Sequence, residues 1–410
     1  SQLQAAGFEA LWAGGCVRDQ LMGRSPKDYD VATNALPDQV RSLFGQKRTL
    51  PIGAAFGVIT VIGPKSAGQI EVATFRRDSQ YSDGRHPDSV EFSNALEDAQ
   101  RRDFTINGMF YDPVKQQVLD YVGGEQDLQQ KIIRAIGNPL ERIHEDKLRM
   151  LRAVRFASTF GFQLENFTLQ AIRREANKIN QISAERIGNE LVRMLSHPAR
   201  ADAMQWLLRS DLLPELLPDG WYHPTDWKGA ALHDRLQEMQ RLESMSFEPA
   251  ACLLLRTCFE RLAPATIAVG KQTPMALGIC QIQERWKLTN QQRENMNWIF
   301  RNWRPLSQAD SLRWSELQPL LVHEAVELAL ATARAIASDT KGLSLCSERL
   351  RWPGSQLNPP ALIHGEDLIR LGLKPGPQFK TILQEIRDRQ LEGELSTTQQ
   401  AQQFVAREYG

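Results

Sequence analysis

The sequence predicts an α/β head followed by an all-α remainder, and three observations carry that reading. Early in the chain, short β-rich runs such as Val58-Ile59-Thr60-Val61-Ile62 and Ile70-Glu71-Val72-Ala73-Thr74-Phe75 alternate with turn punctuation at Gly63-Pro64 and Asp83-Gly84. From Pro139 onward apolar residues recur at helical spacing: Leu148, Leu151, Val154 and Ala157 form one strip, and Leu191, Met194 and Leu195 another. Pro/Gly-rich breaks at Leu217-Pro218-Asp219-Gly220 and Arg351-Trp352-Pro353-Gly354 then divide the helical part. The expected division is a head over 1–138, a helical neck over 139–205, a body over 206–340 and a tail over 341–410. Eight of the nine Trp lie beyond residue 200 in helical pattern, which predicts core anchors before stacking platforms.

Composition narrows the class. The 410 residues carry 49 Lys+Arg against 49 Asp+Glu, 42% hydrophobic and 24% charged residues, an ordinary globular balance. The longest helix-like apolar stretch, 320–337, is interrupted by His323, Glu324, Glu327 and Arg334, so no membrane span is expected. Ser1-Gln2-Leu3-Gln4 lacks the basic flank and apolar core of a signal peptide. The five cysteines are scattered without a paired spacing, so a reduced cytoplasm is the expected location. Charge is uneven: residues 141–200 hold 11 Lys/Arg against 7 Asp/Glu, while 1–140 hold 15 against 17. Alone, such a basic stretch is a solvated helical face.

Chemistry enters at Leu11-Trp12-Ala13-Gly14-Gly15-Cys16-Val17-Arg18-Asp19, followed by Asp28-Tyr29-Asp30. Paired glycines let backbone N–H groups approach phosphate oxygens at a helix start, and Arg18 lies in the first turn to neutralise them. On a strand Asp28 and Asp30 would point to one face, as hard Mg²⁺ ions bridging carboxylates and nucleotide phosphates require. Two such ions would activate a hydroxyl and stabilise a pyrophosphate leaving group. Glu71, in a neighbouring predicted strand, is either a third metal ligand or a cross-strand partner of a basic residue.

These motifs resemble the signature of class II tRNA nucleotidyltransferases, the bacterial CCA-adding enzymes, and their poly(A) polymerase relatives. The resemblance continues through Arg101-Arg102-Asp103-Phe104-Thr105-Ile106-Asn107, Leu119-Asp120-Tyr121-Val122-Gly123-Gly124 and Glu145-Asp146-Lys147-Leu148-Arg149. It implies a polymerase-beta-like nucleotidyltransferase head, tRNA 3′ ends as acceptors, CTP and ATP as substrates, two Mg²⁺ ions, and no obligate protein partner. Asp28 and Asp30 become the catalytic metal ligands, Gly14, Gly15 and Arg18 the triphosphate site, and Arg102 a nucleotide or hinge contact, while Arg101 and Asp103 can form local ion pairs. It also places Arg152 and Arg155 near nucleotide phosphates, although helical rotation supports Arg152 better and leaves Arg155 a stabilising alternative.

The Glu-Asp-x-x-Arg segment resembles the protein template for the incoming base. Asp146 and Arg149 are i, i+3 residues, neighbours on one face of a helix. A carboxylate accepts from an exocyclic amino group and a guanidinium donates to a ring nitrogen or carbonyl, a pattern that cytosine and adenine match and uracil and guanine do not. The loop at Asp83, Gly84 and Arg85 resembles the flexible element that helps the template switch from C to A and that CC-adding enzymes lack. Ile182-Ser183-Ala184-Glu185-Arg186-Ile187 matches a family segment with a scaffolding role, Ser183 serving as N-cap.

Three alternatives stay open. An A-adding enzyme would carry the same motifs. A poly(A) polymerase is disfavoured because Pro51-Ile52-Gly53-Ala54-Ala55-Phe56-Gly57-Val58 stands where that relative has a basic Arg-Arg-Phe element. A catalytically silent RNA-binding protein is disfavoured by the intact Asp28 and Asp30. The bare His233-Asp234 dipeptide gives no phosphohydrolase site, and His144 reads as a packing or surface residue.

Overall fold

A computed structural model of the chain describes residues 2–63, 68–78, 90–262, 274–337 and 340–410. The loop expected at Asp83, Gly84 and Arg85 lies outside the described residues. The chain divides into two compact units, Ser1–Tyr222 with Arg285–Lys287, and His223–Glu284 with Leu288–Gly410. The first boundary falls directly after the Leu217–Gly220 break, and the segments expected as head and neck share one unit.

Strands β1 (Ala10–Ala13), β2 (Val31–Thr33), β3 (Thr49–Leu50), β4 (Val58–Ile62), β5 (Gln69–Thr74), β8 (Phe110–Asp112) and β9 (Gln117–Leu119) form a mixed sheet in the order β3-β4-β5-β2-β1-β8-β9. Between β5 and β8, β6 (Arg76–Asp78) and β7 (Val90–Phe92) pair as a separate antiparallel ribbon. Only β2 and β5 run parallel in the large sheet, with Val31 opposite Val72. Because side chains alternate along a strand, adjacent residues serve opposite faces. Ala10 packs with Val40, Ile59 and Val72 under helix Pro37–Phe44, whereas Leu11 and Ala13 pack with Phe75, Ala95 and Phe110 under helix Ala95–Gln100. Both faces are thus covered, and the loops at one end of β1, β2 and β5 are left to carry chemistry.

Helix Arg149–Phe160 follows, with Leu151, Val154 and Ala157 fully buried, and helix Ala184–Leu195 buries Leu191, Met194 and Leu195, as the two apolar strips predict. Ser183 stands at the N-cap of the second helix, but its hydroxyl makes no capping bond. Gly188 on this helix is fixed by close approach: a Cβ there would sit 1.9 Å from the carbonyl oxygen of Trp286. The fully buried Trp286 donates its indole N–H to the Leu216 carbonyl at 2.8 Å, which binds Arg285–Lys287 into the first unit. Gly188→Ala is expected to cost at least about 1–3 kcal/mol, the range of overpacked cores, read as a lowered melting temperature.

The second unit is helical. Helices Phe247–Leu262, Asn290–Ser307 and Val326–Ala337 contribute Leu253, Leu255, Met296, Ile299, Ala329 and Leu330 to its interior. A C-terminal cluster of Ile363, Leu368, Ile382, Ile386, Ala401, Phe404 and Val405 follows the Arg351–Gly354 break. The Trp expectation holds for half of its cases: Trp206, Trp221, Trp227 and Trp286 are buried, while Trp298, Trp303, Trp314 and Trp352 are only half-buried. No helix among the described residues is long and apolar enough to cross a membrane.

Candidate active site

The edge expected to face phosphate begins where β1 ends. Gly14 has φ 71° and ψ −123°, a conformation L side chains avoid, and a Cβ there would meet an Arg102 guanidinium nitrogen at 2.9 Å. Helix Gly15–Leu21 starts immediately after and carries Arg18. That guanidinium is buried over the Phe160 ring at 4.5 Å, donates twice to Asp19, and reaches Asn107 Oδ1 at 2.5 Å. Its position is therefore set before any anion arrives.

Asp28 and Asp30 do not lie on a strand, as their spacing suggested; β2 begins at Val31. The Asp30 carbonyl nevertheless extends the ladder by accepting from Ala13 N–H at 3.0 Å, while Asp28 belongs to the lead-in loop. Val31 pairs with Val72, so Glu71 stands next in register to Asp30, and across β4 it faces Thr60, not a basic residue. Loss of water around Asp30 pushes its carboxyl above the usual range; Glu71 and Asp28 push the same way, and Arg102 pulls back. This acidic group fits a divalent cation, whose charge would relieve the repulsion. Among the described residues no three His, Cys, Asp or Glu side chains form a ready ligand cluster, so water and phosphate oxygens would have to complete the shell.

Opposite the acids is a basic wall built on one carboxylate. Asp98, 1% exposed, accepts from Arg101 at 2.9 and 2.7 Å and from Arg102 at 3.2 and 2.9 Å. Burial pushes its carboxyl up, but Arg102 and Arg101 together hold it below the usual range. Asp103, expected in a local ion pair, instead reaches Arg152 on helix Arg149–Phe160 at 2.9 and 2.6 Å, 49 residues away. Arg155 takes a different role from its neighbour: it pairs with the buried Glu190 at 2.5 Å and is absent from the cleft lining.

The pair expected to read the base departs from its predicted geometry. Asp146 is the C-cap of helix Pro139–Glu145, with extended backbone at φ −146° and ψ 103°, and Arg149 is the first residue of the next helix. They flank a break and do not share a helical face, although Arg149 N–H still bonds the Asp146 carbonyl at 3.0 Å. Both side chains are engaged. Asp146 is gripped by both terminal nitrogens of Arg186 at 3.1 and 2.7 Å, and Arg149 donates to Glu145 at 2.6 Å and to the Arg142 carbonyl at 2.8 Å. His144, itself exposed, pairs with the buried Glu175 at 2.9 Å.

One cleft of about 530 Å³ gathers Gly14, Gly15, Arg18, Asp30, Arg102, Asp146, Arg149 and Arg152. Asp28, Glu71 and Arg155 are not in its lining. Sequence reasoning passed over Arg76 and Phe156, which line it, and Asp98, which aims its side chains; it quoted Asn107 and Arg186 within motifs but gave neither a role at the site. The only local signal for Asp98 was its i, i+3 and i, i+4 spacing to Arg101 and Arg102.

Known proteins resemble this chain along most of its length. Residues 10–134 match the poly A polymerase head domain, and residues 161–223 match a probable RNA and SrmB-binding site of polymerase A. A CCA-adding enzyme of Levilactobacillus brevis is 32% identical over 405 residues, covering 96% of this chain and 92% of that protein. The Bacillus subtilis CCA-adding enzyme is 44% identical over 219 residues, 53% of each chain. The solved Bacillus stearothermophilus CCA-adding enzyme in complex with CTP superposes with a TM-score of 0.77 at 26% identity, over 99% of this chain and 94% of that one. The chain belongs to the CCA-adding enzymes, nucleotidyltransferases of the class II tRNA nucleotidyltransferase family.

Proposed function

We propose that this protein adds C, C and A to the 3′ end of tRNA from CTP and ATP, releasing pyrophosphate. The observation that carries the reading is the union, in one cleft, of a strained acidic carboxyl, a glycine–arginine phosphate edge and a carboxylate–guanidinium pair suited to a base.

Two Mg²⁺ ions held by Asp28 and Asp30, with Glu71 beside them, would favour the 3′-oxygen as nucleophile and neutralise the departing pyrophosphate. Arg18 and Arg102, fixed by Asp19, Asn107 and Asp98, meet triphosphate oxygens without reorganising. Arg152, held by Asp103, adds positive charge on the same side. Asp146 accepts from the amino group of cytosine or adenine while Arg149 donates to the adjacent ring acceptor. Under this proposal residues 1–138 catalyse, 139–205 read the base, and 206–340 and 341–410 hold the tRNA by its shape. Five unpaired cysteines, four of them buried, suit work in a reducing cytoplasm.

The test is a gel-resolved extension assay with Mg²⁺ on tRNAs ending at the discriminator base, after C and after CC, each given CTP, ATP or both. Growth of all three to CCA and no further is the expected result. Addition only to the CC-ended tRNA would make the protein an A-adding enzyme, long A tails a poly(A) polymerase, and no extension an RNA-binding protein. Affinity for tRNA is expected to fall as salt rises, since phosphate contacts release counterions.

A further inference from the structure

Arg186 is placed where helix stability does not call for it. It occupies the first turn of helix Ala184–Leu195, whose N-terminal end favours anions and is already served by Glu185. Its guanidinium instead reaches back 40 residues to Asp146, and both terminal nitrogens bond the two carboxylate oxygens as a planar fork. The pair is partly open to solvent, with side chains 22% and 18% exposed.

Counting lone pairs shows what the fork does. Asp146 Oδ1 accepts from Arg186 at 3.1 Å and from Leu148 N–H at 3.0 Å, which fills it. Oδ2 accepts from Arg186 at 2.7 Å, which leaves one acceptor site in a fixed direction. Arg149 is restricted in the same way. One terminal nitrogen gives its hydrogens to Arg142 O and Glu145, and the other gives one to Arg101 O at 3.3 Å. Of five N–H donors, the Nε hydrogen and one terminal hydrogen remain. Asp146 and Arg149 both line the cleft, whereas Arg186 stands behind Asp146 and outside the lining.

We propose that Arg186 is a specificity-determining positioning residue: by locking the Asp146 carboxylate, it makes the enzyme reject UTP and GTP. This rests on the functional reading given above. A locked carboxylate with one outward lone pair attracts an amino group and repels a carbonyl oxygen at the same place. Cytosine and adenine present the amino group there, and uracil and guanine the carbonyl. Without the fork only the Leu148 N–H still holds Oδ1, so the carboxylate can turn Oδ2 away from a carbonyl and the repulsion is relieved, while an amino group can still be met. Discrimination is therefore lost before catalysis is.

The experiment compares wild type, Arg186→Lys and Arg186→Gln in single-nucleotide extension of a tRNA ending at the discriminator base, with each of the four nucleoside triphosphates and Mg²⁺. The readout is the kcat/KM ratio of UTP or GTP to CTP, with melting temperature measured alongside. Lysine keeps the charge but cannot make a planar fork. In both variants the ratio is expected to rise about tenfold or more while kcat for CTP stays within about threefold of wild type. An unchanged ratio, or an equal loss for all nucleotides, overturns the proposal. Full discrimination in Arg186→Lys overturns it too, since charge alone would then suffice. If both variants melt far below wild type, Arg186 is structural and the proposal falls. A wild type that extends no tRNA refutes the functional reading itself, an outcome distinct from all of these.

Discussion

Replacing Asp30 by Asn is expected to lower nucleotide transfer at least about 10³-fold, roughly 4 kcal/mol of transition-state stabilisation, and at the same time to raise the melting temperature of the metal-free protein. The two effects share one cause. Loss of water and the nearby Glu71 and Asp28 hold the Asp30 carboxyl above its usual range, so its charge is carried at a cost in the absence of a cation. A carboxyl whose folded pKa is raised contributes stability below the unfolded value of about 3.9 and loses it as pH rises through the higher folded value. The Asn variant should therefore melt like wild type in strong acid and above it near neutrality. Added Mg²⁺ should raise the wild-type melting temperature and close that gap. Steady-state extension kinetics and melting curves from pH 3 to 8, with and without Mg²⁺, measure both. Equal melting at neutral pH would show that the acidic group carries no strain.

Arg152→Ala is expected to have the largest effect on stability. Asp103 is nearly enclosed, its side chain 12% exposed, and Arg152 is its cationic partner. Burial pushes the Asp103 carboxyl up, but Arg152, the Asn107 amide and the Phe104 N–H reverse this and hold it below the usual range. Removing the guanidinium leaves a buried carboxylate without its counter-charge, a loss of about 3–5 kcal/mol, here toward the lower figure because Arg152 retains some exposure to solvent. For a unit of this size that is roughly 6–12 °C in melting temperature. The sign with pH is opposite to that of Asp30. Stability from a depressed carboxyl is complete above the unfolded value of about 3.9 and disappears as pH falls through the native one, so wild type and variant should converge in strong acid. Adding Asp103→Asn to the variant should recover much of the stability without recovering activity, because the charge is gone but the cleft still lacks Arg152. Melting curves of the four proteins in this double-mutant cycle supply the check.

The contrast between these sites shows what a linear sequence makes legible. β4 and β5 were visible because their β-rich runs are bounded by turn residues, and the helix strips at Leu151 and Leu191 because burial enforces their period. Gly14-Gly15-x-x-Arg18 was visible because its backbone conformation is a local demand, whereas the strand read from Asp28-x-Asp30 was not there, since β2 starts only at Val31. The break between Asp146 and Arg149 was not. Glu145, Lys147 and Leu148 are all good helix formers, so nothing nearby forbids a continuous helix. The extended backbone at Asp146 accompanies its fork with Arg186, and that partner is 40 residues away. Asp103 shows the same limit, since Arg101 and Arg102 stand beside it in sequence and the chosen partner is 49 residues distant. Spacing thus narrows the candidate groups, and tertiary pairing decides where they point.

Trp286 also bears on the order in which the protein can be made. Its indole bonds a carbonyl 70 residues earlier, and the intervening stretch His223–Glu284 belongs to the other unit. At a synthesis rate of about 5–20 residues per second, the ribosome emits Leu216 several seconds before Trp286. Throughout that interval the first unit lacks a buried side chain and the backbone that fits against Gly188. A nascent chain halted before residue 285 would hold every cleft residue yet lack Trp286 and its bond to the Leu216 carbonyl. The first unit thus completes only once His223–Glu284 has been translated, so the path of the chain itself works against release of a finished first unit from a truncated message.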